Sequence, residues 1–429
     1  SGLAKAGQWT PKLEERYKLL DLTDPFEPQA FPVRLWDVFG QAGHPVRATV
    51  EGMGSLLLSR LLDLNETQSG ILAIVFKVAQ EKDWPLLDLK DLQSLLKEVY
   101  ENSSDYSAQY GNITKQSVGA IQRSLLVLEE EGADQFFGEP ALDLNDFMQL
   151  DASGRGYINI LSATKLFHSP KLYSTFLIWM LSRLFETLPE VGDPEKPKLV
   201  FFFDEAHLLF KDASKLFLEK VEQVVRLIRS KGVGIYFITQ NPQDLPESVL
   251  AQLGNRVQHA LRAYTPKEMK AIKVAAQSFR PNPDFDTETV ITELGTGEAL
   301  VSFLNEKGQP SVVERAYILS PQSSFDLLNE SEQLALITTS PFHQKYATTI
   351  DRESAYEKLA AKASMEAQEE EKKEAEKERA TAEKAEQKRS PGRPRKSSFE
   401  KAKDSFLSSL FRTIAREIAK LIMGSFKRK

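Results

Sequence analysis

Two carboxylates and one amide follow two short apolar runs in the middle of the chain. The run Leu199–Phe203 (LVFFF) ends directly at Asp204 and Glu205, and the run 234–239 (GIYFIT) ends at Gln240. Continuous apolar runs of this length are typical of parallel strands that are buried on both faces. Because the carboxyl ends of parallel strands meet at one edge of a sheet, we expect the three side chains to converge on one ligand.

These residue types suit the hydrolysis of a nucleoside triphosphate. Asp204 would hold a hydrated Mg²⁺ ion on the phosphates of ATP, and Glu205 would orient and partly deprotonate the attacking water. Gln240 would sense the terminal phosphate by a hydrogen bond. The alternative is that Asp204 and Glu205 only keep a strand end soluble. We interpret His207 as a packing or hydrogen-bonding residue rather than a ligand.

The elements around these residues alternate between strand and helix. A helix is predicted over 214–231 and another over 247–254, followed by a strand over 257–262. This order predicts an α/β fold with a mostly parallel, helix-covered sheet. Earlier strands are predicted over 32–38, 46–50 and 156–161, an apolar helix over 171–187, and a hairpin over 295–318.

Residues 51–150 are predicted to form a helical insert. Apolar residues recur at three- and four-residue spacing over 53–78, with a break and cap at 65–67, which favours two helices. Two more helices are predicted over 89–100 and 115–131, separated by the polar stretch ENSSDYSAQYGN.

Composition excludes several classes of site. The 429 residues contain no cysteine, so disulfides, thiolate zinc sites and cysteine nucleophiles are excluded. The five histidines lack the spacing of a zinc site, and a structural metal is not expected; they are His44, His168, His207, His259 and His343. No run is long and apolar enough for a membrane-spanning helix, and no secretory leader opens the sequence, so we expect a cytoplasmic protein.

The segments around the apolar runs resemble a known family. The stretches LVFFFDEAHLLF, VVRLIRSKGVGIYFITQNPQDLPESVLAQLGNRVQHALRA and SPFHQKYATTIDRESAYEKLA are similar to HerA/FtsK-type P-loop ATPases, and PVRLWDVFGQAGHPVRATVEGMGSLLLSRLLDLNETQ is similar to the bacterial HerA-like (YjgR-type) subgroup. The resemblance covers about residues 1–360. It implies a RecA-like core, ATP hydrolysis coupled to DNA translocation or remodelling, and a homo-oligomer such as a hexameric ring; a nuclease partner is not identified.

One motif of that family is missing from the sequence. No GxxxxGK[ST] occurs, and the GTGEA at Gly295 precedes a predicted strand instead of a helix. We expect that the chain lacks the beginning of the ATPase core; the alternative is a pseudo-ATPase scaffold whose tail binds a membrane or partner proteins. The resemblance also implies an arginine that acts across a subunit boundary. Arg229 is the candidate, with Arg226 and Arg256 as competitors.

Charge separates the body of the chain from its tail. Residues 1–350 carry 34 basic and 46 acidic side chains, whereas residues 391–429 carry 11 basic and 3 acidic ones. We predict a partial ATPase core over 1–50, the insert over 51–150, the main core over 151–322 and a packed extension over 323–360. A charged solvated helix (361–390), a basic linker (391–398) and a cationic amphipathic helix (399–429) follow. That last helix would pack in an oligomer or lie on an anionic membrane, and the basic linker would attract DNA phosphates.

Overall fold

The computed structural model of the protein describes residues 1–387, except 24–25, 193 and 211–214. The chain divides into two units, Ser1–Ala361 and Lys362–Lys429. The predicted basic linker and amphipathic helix lie outside the described residues. Helix α16 (Ala355–Gln387) begins in the first unit and contains all the described residues of the second.

The first sheet is small and parallel. It consists of β1 (Val33–Asp37), β2 (His44–Pro45) and β3 (Ile158–Ser162) in the order β2-β1-β3. All five residues of β1 are buried. Helix α1 (Pro11–Leu19) precedes this sheet, with Pro11 at its first position and Thr10 as its N-cap.

The predicted strand over 46–50 is wrong. The β2 strand is confined to His44–Pro45, and α2 (Val50–Leu61) begins where the strand was expected to end. The Thr49 side chain caps that helix by accepting a hydrogen bond from the Gly52 N–H at 3.0 Å. The β-branched residues here are buried beside a helix start, so capping outweighs their strand propensity.

A block of helices follows α2. Asn65 caps α3, which confirms the predicted break between two helices, and its side chain accepts a hydrogen bond from the Gln68 N–H at 3.0 Å. The polar stretch predicted as a loop contains an additional short helix, α5. The helices are α3 (Glu66–Lys82), α4 (Leu89–Glu101), α5 (Ser103–Tyr110), α6 (Lys115–Glu130) and α7 (Ala133–Phe136).

The second sheet carries the polar strand ends. Its strands, β4 (Leu199–Phe203) and β5 (Val233–Phe237), pair in parallel, with Phe203 opposite Phe237. The apolar helix α8 (Pro170–Thr187) precedes β4. Between the strands lie α9 (His207–Phe210), α10 (Lys215–Leu227) and a 3-10 turn (Ile228–Lys231), and after β5 come a 3-10 turn (Pro242–Asp244) and α11 (Glu247–Leu250). The predicted order of strand, helix, strand and helix is confirmed.

Among the described residues, only one face of this second sheet is covered. Phe203 belongs to the hydrophobic core with α8 and α10, while on the opposite face Phe202 is 65% exposed and Tyr236 is 56% exposed. The two exposed rings stack with their centroids 4.7 Å apart. The expectation that these strands are buried on both faces is therefore wrong for the part of the chain that the structure describes. In the described part of the chain, the parallel strands also form two sheets instead of one.

A third, antiparallel sheet has its own small core. Its strands are β6 (Arg256–Gln258), β7 (Glu298–Ser302) and β8 (Glu314–Tyr317), and β7 and β8 form the predicted hairpin. The strand predicted over 257–262 is shorter than expected, because the chain leaves the sheet after Gln258. Helices α12 (Pro266–Gln277) and α13 (Thr287–Glu293) pack on this sheet through a cluster of buried residues. The cluster comprises Ile272, Ala275, Phe279, Ile291, Leu294, Leu300 and Val313.

The last part of the first unit returns to its beginning. Helices α14 (Glu330–Thr339) and α15 (Phe342–Tyr346) precede α16. The Gly7 N–H donates to the Gln322 carbonyl at 2.8 Å, and the Ser324 N–H donates to the Lys5 carbonyl at 2.9 Å. We call these paired segments, residues 5–7 and 322–324, the seam. In the described part of the chain, none of the helices is both long and apolar enough to cross a membrane.

Candidate hydrolytic site

The ends of β4 and β5 are tied together by backbone hydrogen bonds. The Ile238 N–H donates to the Phe203 carbonyl at 2.9 Å, and the Ala206 N–H donates to the Ile238 carbonyl at 2.8 Å. The segment that follows β4 is therefore held beside the segment that follows β5. Asp204 and Glu205 lie at the same edge as Gln240, as expected for side chains that follow neighbouring parallel strands.

Glu205 and Gln240 contact each other directly. The Gln240 amide Nε2 donates to Glu205 Oε1 at 3.0 Å. The Glu205 backbone N–H donates to Asp204 Oδ1 at 3.0 Å, so the three predicted residues form one continuous cluster. Carboxylate oxygens are the ligand type that Mg²⁺ prefers, and the Asp204 side chain is exposed to solvent at the strand end.

Glu205 has an unusual backbone conformation. Its φ angle is 48°, in the left-handed region that residues with a Cβ seldom occupy. Such a conformation costs on the order of 1–3 kcal/mol and persists only where surrounding contacts hold it. Here the hydrogen bond of the next residue, Ala206, to the Ile238 carbonyl holds the turn. The strain lies on the residue to which we assign the attacking water, and this conformation aims its carboxylate at Gln240.

His207 contributes a contact that we did not predict. It begins α9, and its Nδ1 lies 3.2 Å from Glu205 Oε2, although the two atoms are not aligned as a hydrogen bond. Both oxygens of the Glu205 carboxylate therefore have a neighbouring side chain, Gln240 on one and His207 on the other. The sequence shows that Glu205 and His207 are two positions apart, but not that a tight turn brings their side chains together.

The structure does not bring the candidate arginines into this cluster. Arg229 lies in the 3-10 turn before β5 begins, whereas Gln240 lies beyond its end, and the strand of five residues spans about 16 Å. Arg226 is exposed on α10. Arg256 donates to the carbonyls of Leu253 at 3.3 Å and Ser278 at 3.0 Å, and burial lowers its pKa. The guanidinium of Arg256 is thus occupied by structural contacts.

The glycine-rich stretch near Gly295 is not a phosphate-binding loop. The Gly295 N–H donates to Glu298 Oε2 at 2.6 Å, so it faces a carboxylate and not an open anion site. This N–H and the Arg315 guanidinium hold the pKa of Glu298 below its usual value. The stretch also leads into strand β7, as expected from the sequence. The described residues thus carry a carboxylate and amide cluster without a recognisable phosphate cradle.

Comparison with known proteins identifies the family. A family model described as "Helicase HerA-like C-terminal" matches residues 1–429, the whole chain. The chain belongs to this family. The predicted resemblance to HerA-type proteins is confirmed, while the bacterial subgroup stays a prediction.

Curated HerA relatives are similar to this HerA-like chain over part of their length. The DNA double-strand break repair helicase HerA of Saccharolobus solfataricus is 25% identical over 211 residues, which cover 48% of this chain and 40% of that protein. The protein of the same name from Sulfolobus acidocaldarius is 30% identical over 99 residues, covering 23% of this chain and 19% of that protein. The matched regions thus span less than half of each relative.

Two solved structures are distantly similar. The bacterial conjugative coupling protein TrwBΔN70 covers 74% of this chain and 84% of its own, with 11% identity and a TM-score of 0.45. VirB4 of Thermoanaerobacter pseudethanolicus covers 75% of this chain and 81% of its own, with 14% identity and a TM-score of 0.42. These likenesses are too distant to define a function.

Proposed function

We propose that this HerA-like chain carries the hydrolytic half of an ATPase site, and that ATP hydrolysis drives the translocation or remodelling of DNA. The observation that carries the proposal is the hydrogen bond of 3.0 Å between Gln240 Nε2 and Glu205 Oε1, at the end of two adjacent parallel strands, beside Asp204. Family membership supports the same reaction class, and the printed names of the HerA relatives describe DNA repair helicases.

Each residue of the cluster has a separate task in this proposal. Asp204 would hold Mg²⁺ through a bound water, and the ion would offset charge on the phosphate oxygens of ATP. Glu205 would accept a hydrogen bond from the attacking water and orient it. The Gln240 side chain has two amide N–H donors, so one would stay on Glu205 while the other would donate to the terminal phosphate.

The phosphate-binding half would come from residues outside 1–429. Two features support this part of the proposal: the lack of a GxxxxGK[ST] motif, and the open face of the second sheet. On that face Phe202 and Tyr236 stack at 65% and 56% exposure. Parallel sheets are generally covered on both faces, so a further part of the core would cover these rings.

Assembly is the second part of the proposal. Arg229 lies beyond the opposite end of β5 from Gln240, so it would serve the site of a neighbouring subunit rather than its own. A homo-oligomer, such as a ring, would bring it there. A cytoplasmic location and a membrane contact through residues 399–429 stay predictions, and a nuclease partner is not identified.

The competing function is a pseudo-ATPase scaffold. The observation that favours it is the same missing GxxxxGK[ST] motif, because loss of the loop would leave Asp204, Glu205 and Gln240 without a substrate. The codons before Ser1 separate the two functions. A GxxxxGK[ST] motif encoded there in frame favours the ATPase, and a start codon at this position favours the scaffold.

Phosphate release tests the ATPase directly. In a form of the protein that includes such a motif, Glu205→Gln should lower kcat by about 10²-fold or more, because the amide cannot accept a proton from water. The matched control is Glu306→Gln, in an exposed turn, which should keep full activity. Normal turnover by the Glu205→Gln variant would refute the assignment of Glu205. Residues 1–429 alone should release no phosphate above background.

A further inference from the structure

Helix α12 presents a row of lysines to solvent. Lys267, Lys270 and Lys273 are all exposed and lie three residues apart, so they share one face of the helix. Within the described part of the chain, none of the three makes an ion pair, whereas lysines on several other helices do, among them Lys18 with Glu14 at 2.7 Å. The row is therefore an unneutralised positive surface on a protein whose body is acidic.

The one acidic residue of α12 does not neutralise this row. Glu268 accepts hydrogen bonds from the backbone N–H groups of Tyr264 at 2.7 Å and Thr265 at 2.8 Å, and these bonds lower its pKa. Its carboxylate is thereby held at the start of the helix as part of a capping box. Glu268 therefore forms no ion pair with the lysine row.

An exposed aromatic ring precedes the lysine row in the chain. Tyr264 precedes the helix and is 88% exposed, more than any other large hydrophobic side chain in the described part of the chain. It lies three residues before Lys267 in the sequence. Single-stranded nucleic acids bind to surfaces that combine aromatic rings, on which bases stack, with positive charges that contact phosphates.

The helix is held near the hydrolytic site. It lies beside the 3-10 turn Pro242–Asp244, which begins two residues after Gln240. At the C-terminal end of the helix, Arg256 donates to the Ser278 carbonyl at 3.0 Å, and it also donates to the Leu253 carbonyl at 3.3 Å. These contacts fix α12 to the segments that follow β5, so its lysine face has a defined position relative to Gln240.

We propose that Lys267, Lys270, Lys273 and Tyr264 form a contact surface for the phosphodiester backbone of DNA. Six residues of helix advance about 9 Å, and phosphates of one strand advance about 3.4 Å along a duplex, so the row matches two or three phosphates. The inference rests on the DNA part of the proposed function and names the surface that serves it. It does not depend on ATP hydrolysis.

The first test measures DNA binding by fluorescence anisotropy at several salt concentrations. The protein is the 429-residue chain, and the probes are a labelled single strand and a labelled duplex. Replacing the three lysines together (Lys267→Gln, Lys270→Gln and Lys273→Gln) should reduce the slope of log K against log salt by about 2 to 3 for duplex DNA, since each phosphate contact contributes about 0.9. The matched control replaces Lys90, Lys97 and Lys115, which are exposed on or next to helices of the insert, by glutamine. It has the same net charge and should keep the wild-type slope.

The second test locates the contact independently of other basic segments. DNA that contains bromouridine is cross-linked to the protein by ultraviolet light, and the cross-linked peptides are identified by mass spectrometry. A peptide that includes Tyr264 should be labelled, and Tyr264→Ala should abolish that label. A third measurement adds polyglutamate to the protein–DNA complex and tests whether this acidic polypeptide displaces the DNA.

Three results would overturn the inference: an unchanged salt slope in the lysine variant, cross-links confined to other peptides, or displacement of DNA by polyglutamate at equal charge concentration. The last result would assign the surface to acidic proteins. An active ATPase with no DNA contact on α12 would refute this inference alone, and DNA contact without ATP hydrolysis would refute only the hydrolytic proposal.

Discussion

Acid should weaken the first unit through His44. The His44 side chain is 1% exposed and lies against Trp36, with ring centroids 5.4 Å apart. Burial, followed by the charges of His343 and Arg34, lowers the pKa of His44 to about 4. In the unfolded chain an imidazole has a pKa of about 6.5, so the unfolded state binds the proton first as the pH falls. The contribution of His44 to stability is therefore constant above about pH 6.5 and is lost between about pH 6.5 and about pH 4.

The size of this effect follows from the two pKa values. Between about pH 7.5 and about pH 5, one imidazole with these values removes about 2 kcal/mol from the free energy of unfolding. Urea unfolding at both pH values measures the loss. His44→Gln cannot bind the proton and should lose about 2 kcal/mol less than the wild type over the same range. The control is His168→Gln, at an exposed position, which should show the wild-type loss.

Chemical-shift titration checks the cause separately. With only five histidines in the chain, the ring ¹³C resonances can be assigned by substitution, and the His44 resonance should titrate near pH 4. The reasoning is refuted if His44→Gln retains the full acid-dependent loss of stability, or if the His44 resonance titrates near its usual value.

Two further outcomes are expected in the free energy of unfolding, measured with urea. Phe203→Ala should cost about 3–5 kcal/mol because Phe203 is a core residue, whereas Phe202→Ala should cost about 1 kcal/mol because it loses only an exposed stacked ring. Equal losses would contradict the open sheet face. Gly297→Ala should lower the free energy of unfolding more than Gly308→Ala. The φ angles of the two glycines are similar, at 75° for Gly297 and 72° for Gly308. Only at Gly297 would an added Cβ lie 2.5 Å from Arg16 Nη2. Equal effects would show that the Arg16 contact contributes nothing.

The local chemistry of the site could be predicted from the sequence, but its surroundings could not. The sequence alone indicates an apolar strand followed by Asp204 and Glu205, and a second strand followed by Gln240. Their proximity follows from parallel pairing alone. The run LVFFF, however, is apolar at every position, so it has no alternation to reveal that Phe202 is exposed while Phe203 is buried.

Other differences arise from competition between local preferences. Val46 and Val50 favour a strand by propensity, but Thr49 caps a helix at this point, and the cap prevails. The polar segment Ser103–Tyr110 forms a helix although it has no strong apolar period, because it packs beside α4. The contact of His207 with Glu205 depends on the left-handed turn at Glu205, which sequence spacing does not reveal.

The seam between residues 5–7 and 322–324 affects the order in which the first unit can fold. A nearby contact, from Lys5 Nζ to the Leu327 carbonyl, joins positions 322 residues apart. Closing so long a loop from an unfolded chain costs more entropy than a few hydrogen bonds return, so these contacts form after the intervening sheets and helices have condensed. The seam thus forms late in the folding of this unit. Almost all of the unit must have left the ribosome before the seam can form.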